Sequence, residues 1–228
     1  MKRIFVATRS PEDWRQGLAD PEKHWQSGYS AKTLAHCWEN APGLPLEIAK
    51  MFSESEIPGF EQVELLVALP EYKVELPGGE RPSQNDLFVL AKDGNGQLVA
   101  IAVEGKVSEP FGPTISEWGA DISEGKTKRL EFLRNQLGLQ ETIPADIRYQ
   151  LLHRTVSAVI EAHRFNAKNA VMIVHSFSQE NKWLDDYERF VRLFGKSAGV
   201  GALVRLGTMQ GVTLFTAWVR GNKKYLEC

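Results

Sequence analysis

The feature that most constrains this chain is an apolar hairpin whose far ends carry charge. Leu87–Ala91 and Leu98–Val103 are built from Leu, Val, Ile, Phe and Ala, and Lys92-Asp93-Gly94-Asn95-Gly96-Gln97 lies between them. Asp-Gly and Asn-Gly supply the backbone freedom of a tight turn, so the segment predicts two antiparallel strands. Strand side chains alternate between faces, which sets Glu104 and Lys106 on one face with Ala100 and Ala102. Ile101, Val103 and Val107 then read as core on the other. If the turn is centred on Asn95, Asp86 lies directly across from Glu104. A shift of one residue would set Asp86 beside Val103 and turn it away from the lysine.

Two facing carboxylates repel, and close like charges raise one pKa. A hard cation removes that penalty, and Mg²⁺ is commonly held by one or two carboxylates with phosphate and water. Asp86 and Glu104 are therefore candidate metal ligands and catalytic residues, and the side-chain-free Gly105 could offer its carbonyl. Lys106 could orient or deprotonate an attacking water and offset charge in a phosphoryl transition state. An isolated Glu-x-Lys pair is common and is by itself an ordinary surface ion pair; here the facing Asp gives it weight.

At 228 residues, with 43% hydrophobic and 25% charged, the chain is long enough for one well-buried domain. No apolar run approaches a bilayer span, so no membrane partner is expected. Residues 1–8 are basic and briefly apolar, which reads as an opening strand rather than a secretion signal. Cys37 and the terminal Cys228 suggest neither a disulfide scaffold nor a zinc spacing, and a cytoplasmic location is the expectation. The formal net charge of −2 argues against a protein that coats nucleic acid, although not against a local basic groove.

Helices are expected from Pro11 with Ser10 as cap, over 30–39 capped by Ser30, and over 44–52. Residues 63–69 and 72–76 read as extended. The segment 109–113, with two prolines, reads as a loop at the rim of the hairpin's charged end. A helix over about 121–137 would face Ile122, Leu130, Leu133 and Leu137 inward. Its other side presents Lys126, Lys128 and Arg129, the candidates for phosphate-backbone contact. The clearest helix runs from Pro144 to about Phe165. It has an apolar face and a polar stripe of Gln150, His153, Arg154, Ser157, Glu161 and Arg164. Such a stripe is usually the wet side; beside the hairpin, Gln150 and His153 would reach the site. No second histidine stands at ligand spacing to His153. A buried strand over 169–175, a helix over 183–194, and strands over 202–206 and 212–219 complete the chain, with 212–219 read as an edge strand. Nothing suggests a repeat or linker, so one domain over 1–228 is expected, its motif core at about 80–175.

This order of elements resembles the restriction-endonuclease-like superfamily, the PD-(D/E)xK phosphodiesterases. Asp86 matches the first acidic position of that motif, Glu104 the second and Lys106 the lysine; Asn85 stands where the name would put a proline. The resemblance implies an α/β (α+β) fold, a mixed β-sheet flanked by helices. It implies a Mg²⁺-dependent nuclease (Mn²⁺ as a substitute) with Asp86, Glu104 and the Gly105 carbonyl on the metal and Lys106 assisting water. It also implies a nucleic-acid partner, DNA in the first instance, and an early-helix glutamate for which Glu39 and Glu47 both qualify. Gln150 matches a polar residue that sometimes lines the site. A homodimer would suit a cutter of duplex DNA. The competing readings are a catalytically inactive nuclease-like module that binds nucleic acid or protein, and a small-molecule enzyme or structural protein using Trp118, Trp183 and Trp218.

Overall fold

The computed structural model describes residues 4–228. Six strands form one sheet: β1 (Glu64–Val74), β2 (Ser83–Lys92), β3 (Leu98–Lys106), β4 (Asn169–Ser176), β5 (Leu203–Met209) and β6 (Val212–Arg220), in the order β1-β2-β3-β4-β6-β5. β1, β2 and β3 are an antiparallel meander, β3, β4 and β6 run parallel, and β5 returns antiparallel on β6. The helices are α1 (Pro21–His24), α2 (Ser30–Glu39), α3 (Leu46–Ser53), α4 (Ile115–Trp118), α5 (Glu124–Gln136), α6 (Tyr149–Phe165) and α7 (Leu184–Arg192). The result is a mixed sheet flanked by helices, the expected α/β (α+β) class. No helix among the described residues is long and apolar enough to cross a membrane.

The alternation of β2 and β3 feeds two cores. Phe88, Ala100 and Ala102 pack with Leu152, Val156 and Val159 of α6. Leu87, Val89, Ile101 and Val103 pack instead with Leu34 of α2 and Ile48 and Phe52 of α3. Because both faces are covered, β3 reads as a nearly unbroken apolar run. The hairpin register is the one centred on Asn95: Leu87 pairs with Val103 and Lys92 with Leu98. Asp93 closes the turn, its carboxylate accepting from the amides of Asn95 and Gln97.

Several boundaries differ from expectation for identifiable reasons. Residues 4–8 form no strand, and residues 1–3 lie outside the described residues. The edge strand beside them, β1, contains Pro70 and a register shift between Leu65 and Val67, both of which spoil a further ladder. Residues 11–17 make a 3₁₀ helix rather than an α-helix. α6 begins at Tyr149 and not at Pro144, because Ala145 and Ile147 give their carbonyls to Ser116 and Ile115 across a short pairing. Ile122 stands exposed ahead of α5. Strand 212–219 is internal, paired on both sides, so the edges are β1 and β5. The amide of Ser30 at the start of α2 donates to the Glu109 carboxylate at 3.1 Å, so that acid, not the Ser30 hydroxyl, serves this helix end.

Arg129, expected on a basic outer face, turns inward and donates to the carbonyls of Leu76, Pro77 and Gly79 in the β1–β2 connection. It clamps the turn that sets the β1 register. Arg129→Ala is expected to lose about 2–3 kcal/mol of stability, the scale of charged hydrogen bonds left unmade. Thermal unfolding would read this loss.

Candidate functional site

The β1–β2 register pairs Pro70 with Leu87 and Tyr72 with Asn85, and the β2–β3 register pairs Leu87 with Val103. The same two offsets bring Glu71 to Asp86 and Asp86 to Glu104. Three neighbouring strands thus each place one acid on a single rung. Glu71 is the irregular member: its φ of 52° is left-handed, a conformation that costs a side chain energy.

Each carboxylate has its own supports. Asp86 Oδ2 accepts from the Gly105 amide at 2.8 Å. Lys106 Nζ lies 2.6 Å and Gln150 Nε2 2.7 Å from Glu104 Oε1, while Arg154 Nε donates to Glu104 Oε2 at 2.6 Å. Arg154 also stands 4.0 Å from Asp86 Oδ1 and donates to Ser83 Oγ at 3.2 Å. Gln84 Nε2 donates to Glu71 Oε2 at 2.7 Å. The side chains of Glu104 and Lys106 are 3% and 5% exposed, Asp86 is 21% exposed, and so the row slopes from a buried end toward solvent.

Positive charge is distributed unevenly along this rung. Burial alone would raise Glu104, but the adjacent Lys106 and Arg154 outweigh it and hold the carboxyl below its usual range. Burial and the charges of Glu104 and Glu71 push Asp86 well above its usual range. Burial is also the main cause that lifts Glu71 to about 7. His153 is pushed well down by burial and by Arg154 and Arg129, so it is neutral at neutral pH. The site therefore holds one acid kept ionised by close cations and two whose burial and mutual repulsion outweigh the cations near them.

The polar stripe of α6 proves to be an inner face. Arg154, Ser157 and Glu161 are buried, and Gln150, Arg154 and Ser157 meet Glu104 or Ser83. Farther along, Glu161 meets Tyr72 and Arg164. His153 pairs with Ser83 through Nδ1 at 2.8 Å rather than with the acids. Of the sequence-derived residues, Asp86, Glu104, Lys106 and Gln150 are brought together. It is the Gly105 amide that meets Asp86; no contact of its carbonyl with the acids is seen. Lys126, Lys128 and Arg129 do not line the cleft: Lys126 is bonded to the Trp118 carbonyl and to Asp121, and Lys128 is exposed. Glu71 and Arg154 were missed as site residues. The Gly78-Gly79 turn could have revealed Glu71, since it centres the β1–β2 register that aligns Glu71 with Asp86.

The acids line a cleft of about 460 Å³. Lys23 and His24 of α1, Tyr29, Ser30, Glu109 and Pro110 line the same cleft.

Neither early-helix glutamate joins the rung. Glu39 accepts from Thr8 and Trp14. Glu47 lies with Cys37 and His175, whose ligand-type atoms all fall within 4.8 Å of one another. Among the described residues this is the tightest such group; the Glu71–Asp86–Glu104 row is not drawn together so closely. Its hydrogen bonds nevertheless oppose a metal. The Trp38 indole can only donate, and it donates to His175 Nδ1 at 3.2 Å. The imidazole proton is thereby assigned to Nε2, which faces Glu47 Oε1 at 3.1 Å, so the ring lacks a free ligand lone pair there. Burial raises the Cys37 thiol, keeping it protonated. The group is a buried relay that ties α2, α3 and β4 to the Asn222 amide.

Burial would raise Glu47, but the His175 hydrogen bond and backbone amides overcome it and hold the carboxyl at about 2, against 4.5 unperturbed. Because the folded value is the lower, this stabilisation is present above pH 4.5 and is lost as pH falls toward 2. Glu47→Gln should lack an increment on the order of 3 kcal/mol at neutral pH. Denaturant melts of both proteins from pH 7 down to pH 2 should converge at the acid end.

The chain belongs to the family described as Domain of unknown function (DUF6946), whose model matches residues 7–223. No curated protein and no solved structure matches it.

Proposed function

We propose that this protein is a metal-dependent nuclease of the restriction-endonuclease-like type, hydrolysing phosphodiester bonds at the Glu71–Asp86–Glu104 rung. The observation that carries this reading is Asp86 facing Glu104 on the adjacent strand, with Lys106 one step beyond on the same face. Three carboxylates, two of them raised by burial and by one another's charge, form a hard-oxygen donor set suited to Mg²⁺ or Mn²⁺. Asp86 and Glu104 would hold the ion, with Glu71 as a third oxygen donor on the rung. A divalent cation there supplies Lewis acidity toward a phosphoryl oxygen and screens the acids from one another.

The chain's own groups account for the remaining chemistry. Gln150 and Arg154 fix the Glu104 carboxylate from the helix side. Lys106, beside Glu104 and 5.1 Å from the Phe111 ring centre, is buried and therefore a strong electrostatic partner for charge developing on phosphorus. Hydrolysis forms a bond from water oxygen to phosphorus, breaks the ester P–O bond and passes the proton of the attacking water, by way of solvent, to the departing alkoxide oxygen. Lys106 is the group placed to orient that water.

One observation favours a second reading. Glu104 is already satisfied by Lys106, Arg154 and Gln150, as in a purely structural charge knot, and the protein would then be a binding module. Calorimetry separates the two. Mg²⁺ or Mn²⁺ should bind to the wild type and not to Asp86→Asn. Binding should release protons near pH 7, since Glu71 and Asp86 are raised without a cation, and affinity should climb between pH 6 and 8. In the absence of metal, Asp86→Asn should be at least as stable as the wild type, because it removes an acid whose ionisation burial, Glu104 and Glu71 disfavour. A folded wild type with no metal binding, alone or with an uncleavable oligonucleotide, would favour the binding module.

A further inference from the structure

We propose, building on the nuclease reading above, that the substrate is a flexible single strand or strand end and not the interior of a duplex. The inference comes from a strap of chain laid across the site. Residues 17–30 are anchored on both sides of the carboxylate rung. On one side Gln84, which also holds Glu71, donates to the Gly17 carbonyl at 3.2 Å. Gly17 packs so closely there that an added Cβ would lie 2.7 Å from that of Glu71. On the other side the Ser30 amide donates to Glu109 Oε1 at 3.1 Å, and Glu109 Oε2 accepts from the amides of Val107 and Ser108, just past Lys106. Between these anchors Lys23 and His24 line the same cleft as the acids.

A phosphodiester that reaches Asp86 and the buried pair of Glu104 and Lys106 enters a cleft that residues 18–30 of this strap help to line. Duplex DNA stays stiff over about 150 base pairs, so it cannot bend one backbone into a recess of about 460 Å³. One strand would first have to leave its partner. A single strand has no such cost, and the cleft is of the size that encloses a small ligand or a short stretch of chain.

Charge leads to the same conclusion. Strong duplex binding needs a track of Lys and Arg, each neutralising a phosphate. Here the lysine and arginine side chains lining the cleft are Lys23, Lys106 and Arg154, against Glu71, Asp86, Glu104 and Glu109. Arg129 is committed to backbone carbonyls elsewhere.

The test uses the full chain with Mn²⁺ and four probes: single-stranded DNA, single-stranded RNA, a relaxed covalently closed DNA circle and long double-stranded RNA. One of the single strands should be cut at least about 100-fold faster than the duplex of the same sugar, the penalty of opening a few base-pair steps. Equal rates on single strand and closed duplex would overturn this inference and leave the nuclease reading standing. No cleavage of any probe would overturn the nuclease reading, and this inference with it.

Discussion

Glu104→Ala is expected to abolish metal-dependent cleavage and to cost about 3–5 kcal/mol of folding stability. Both effects follow from one arrangement. Glu104 is the shared counter-ion of Lys106 and Arg154, and all three are buried. Removing it leaves two positive charges facing each other with only Asp86 and Glu71 nearby. The two losses are separable through Glu104→Gln, which keeps the shape and one accepting oxygen but not the charge. That variant should recover part of the stability, read by chemical denaturation, while recovering no cleavage.

Lys106→Met is expected to slow cleavage by about 10²–10⁴-fold, the range for loss of a positioned acid–base or electrostatic group. Metal affinity should be kept or slightly raised, because a cation that competes for Glu104 has gone while Asp86 and Glu71 remain. A structural role alone would move stability without this split between metal affinity and turnover. Single-turnover rates beside a metal titration of the same variant would show it.

The centre of this fold was legible in the sequence because periodicity and turn chemistry agreed there. Asp93-Gly94-Asn95-Gly96 located the turn and left two registers, of which the structure has the one centred on Asn95, and alternating apolar residues left only Glu104 and Lys106 to explain at the end of β3. The site was legible only as far as that hairpin reached. Glu71 is sequence-distant, sits beside Pro70 with a left-handed backbone, and enters only through the β1–β2 register. Arg154 was visible as one member of a polar stripe, but a stripe does not say which way a helix is turned. Here the ion pair with Glu104 turns it inward, against the common rule. The same ambiguity misled in the other direction at α5. Its basic face read as a phosphate surface, whereas Arg129 is spent on the carbonyls of a turn. The short-range start signal failed at Pro144, where hydrogen bonds to residues 115–116 hold the chain out of the helix, whereas α2 does begin at Ser30 but is served by Glu109 rather than by the serine hydroxyl.

The most direct test of the central claim is Mg²⁺- or Mn²⁺-dependent cleavage of labelled single-stranded oligonucleotides by wild type and Asp86→Asn, with both proteins shown to be folded and EDTA as control. Wild type should cleave, EDTA should stop that cleavage, and Asp86→Asn should lack it despite equal or greater stability. Cleavage of equal rate by Asp86→Asn, or metal bound by the wild type without any cleavage of DNA or RNA, would contradict the claim.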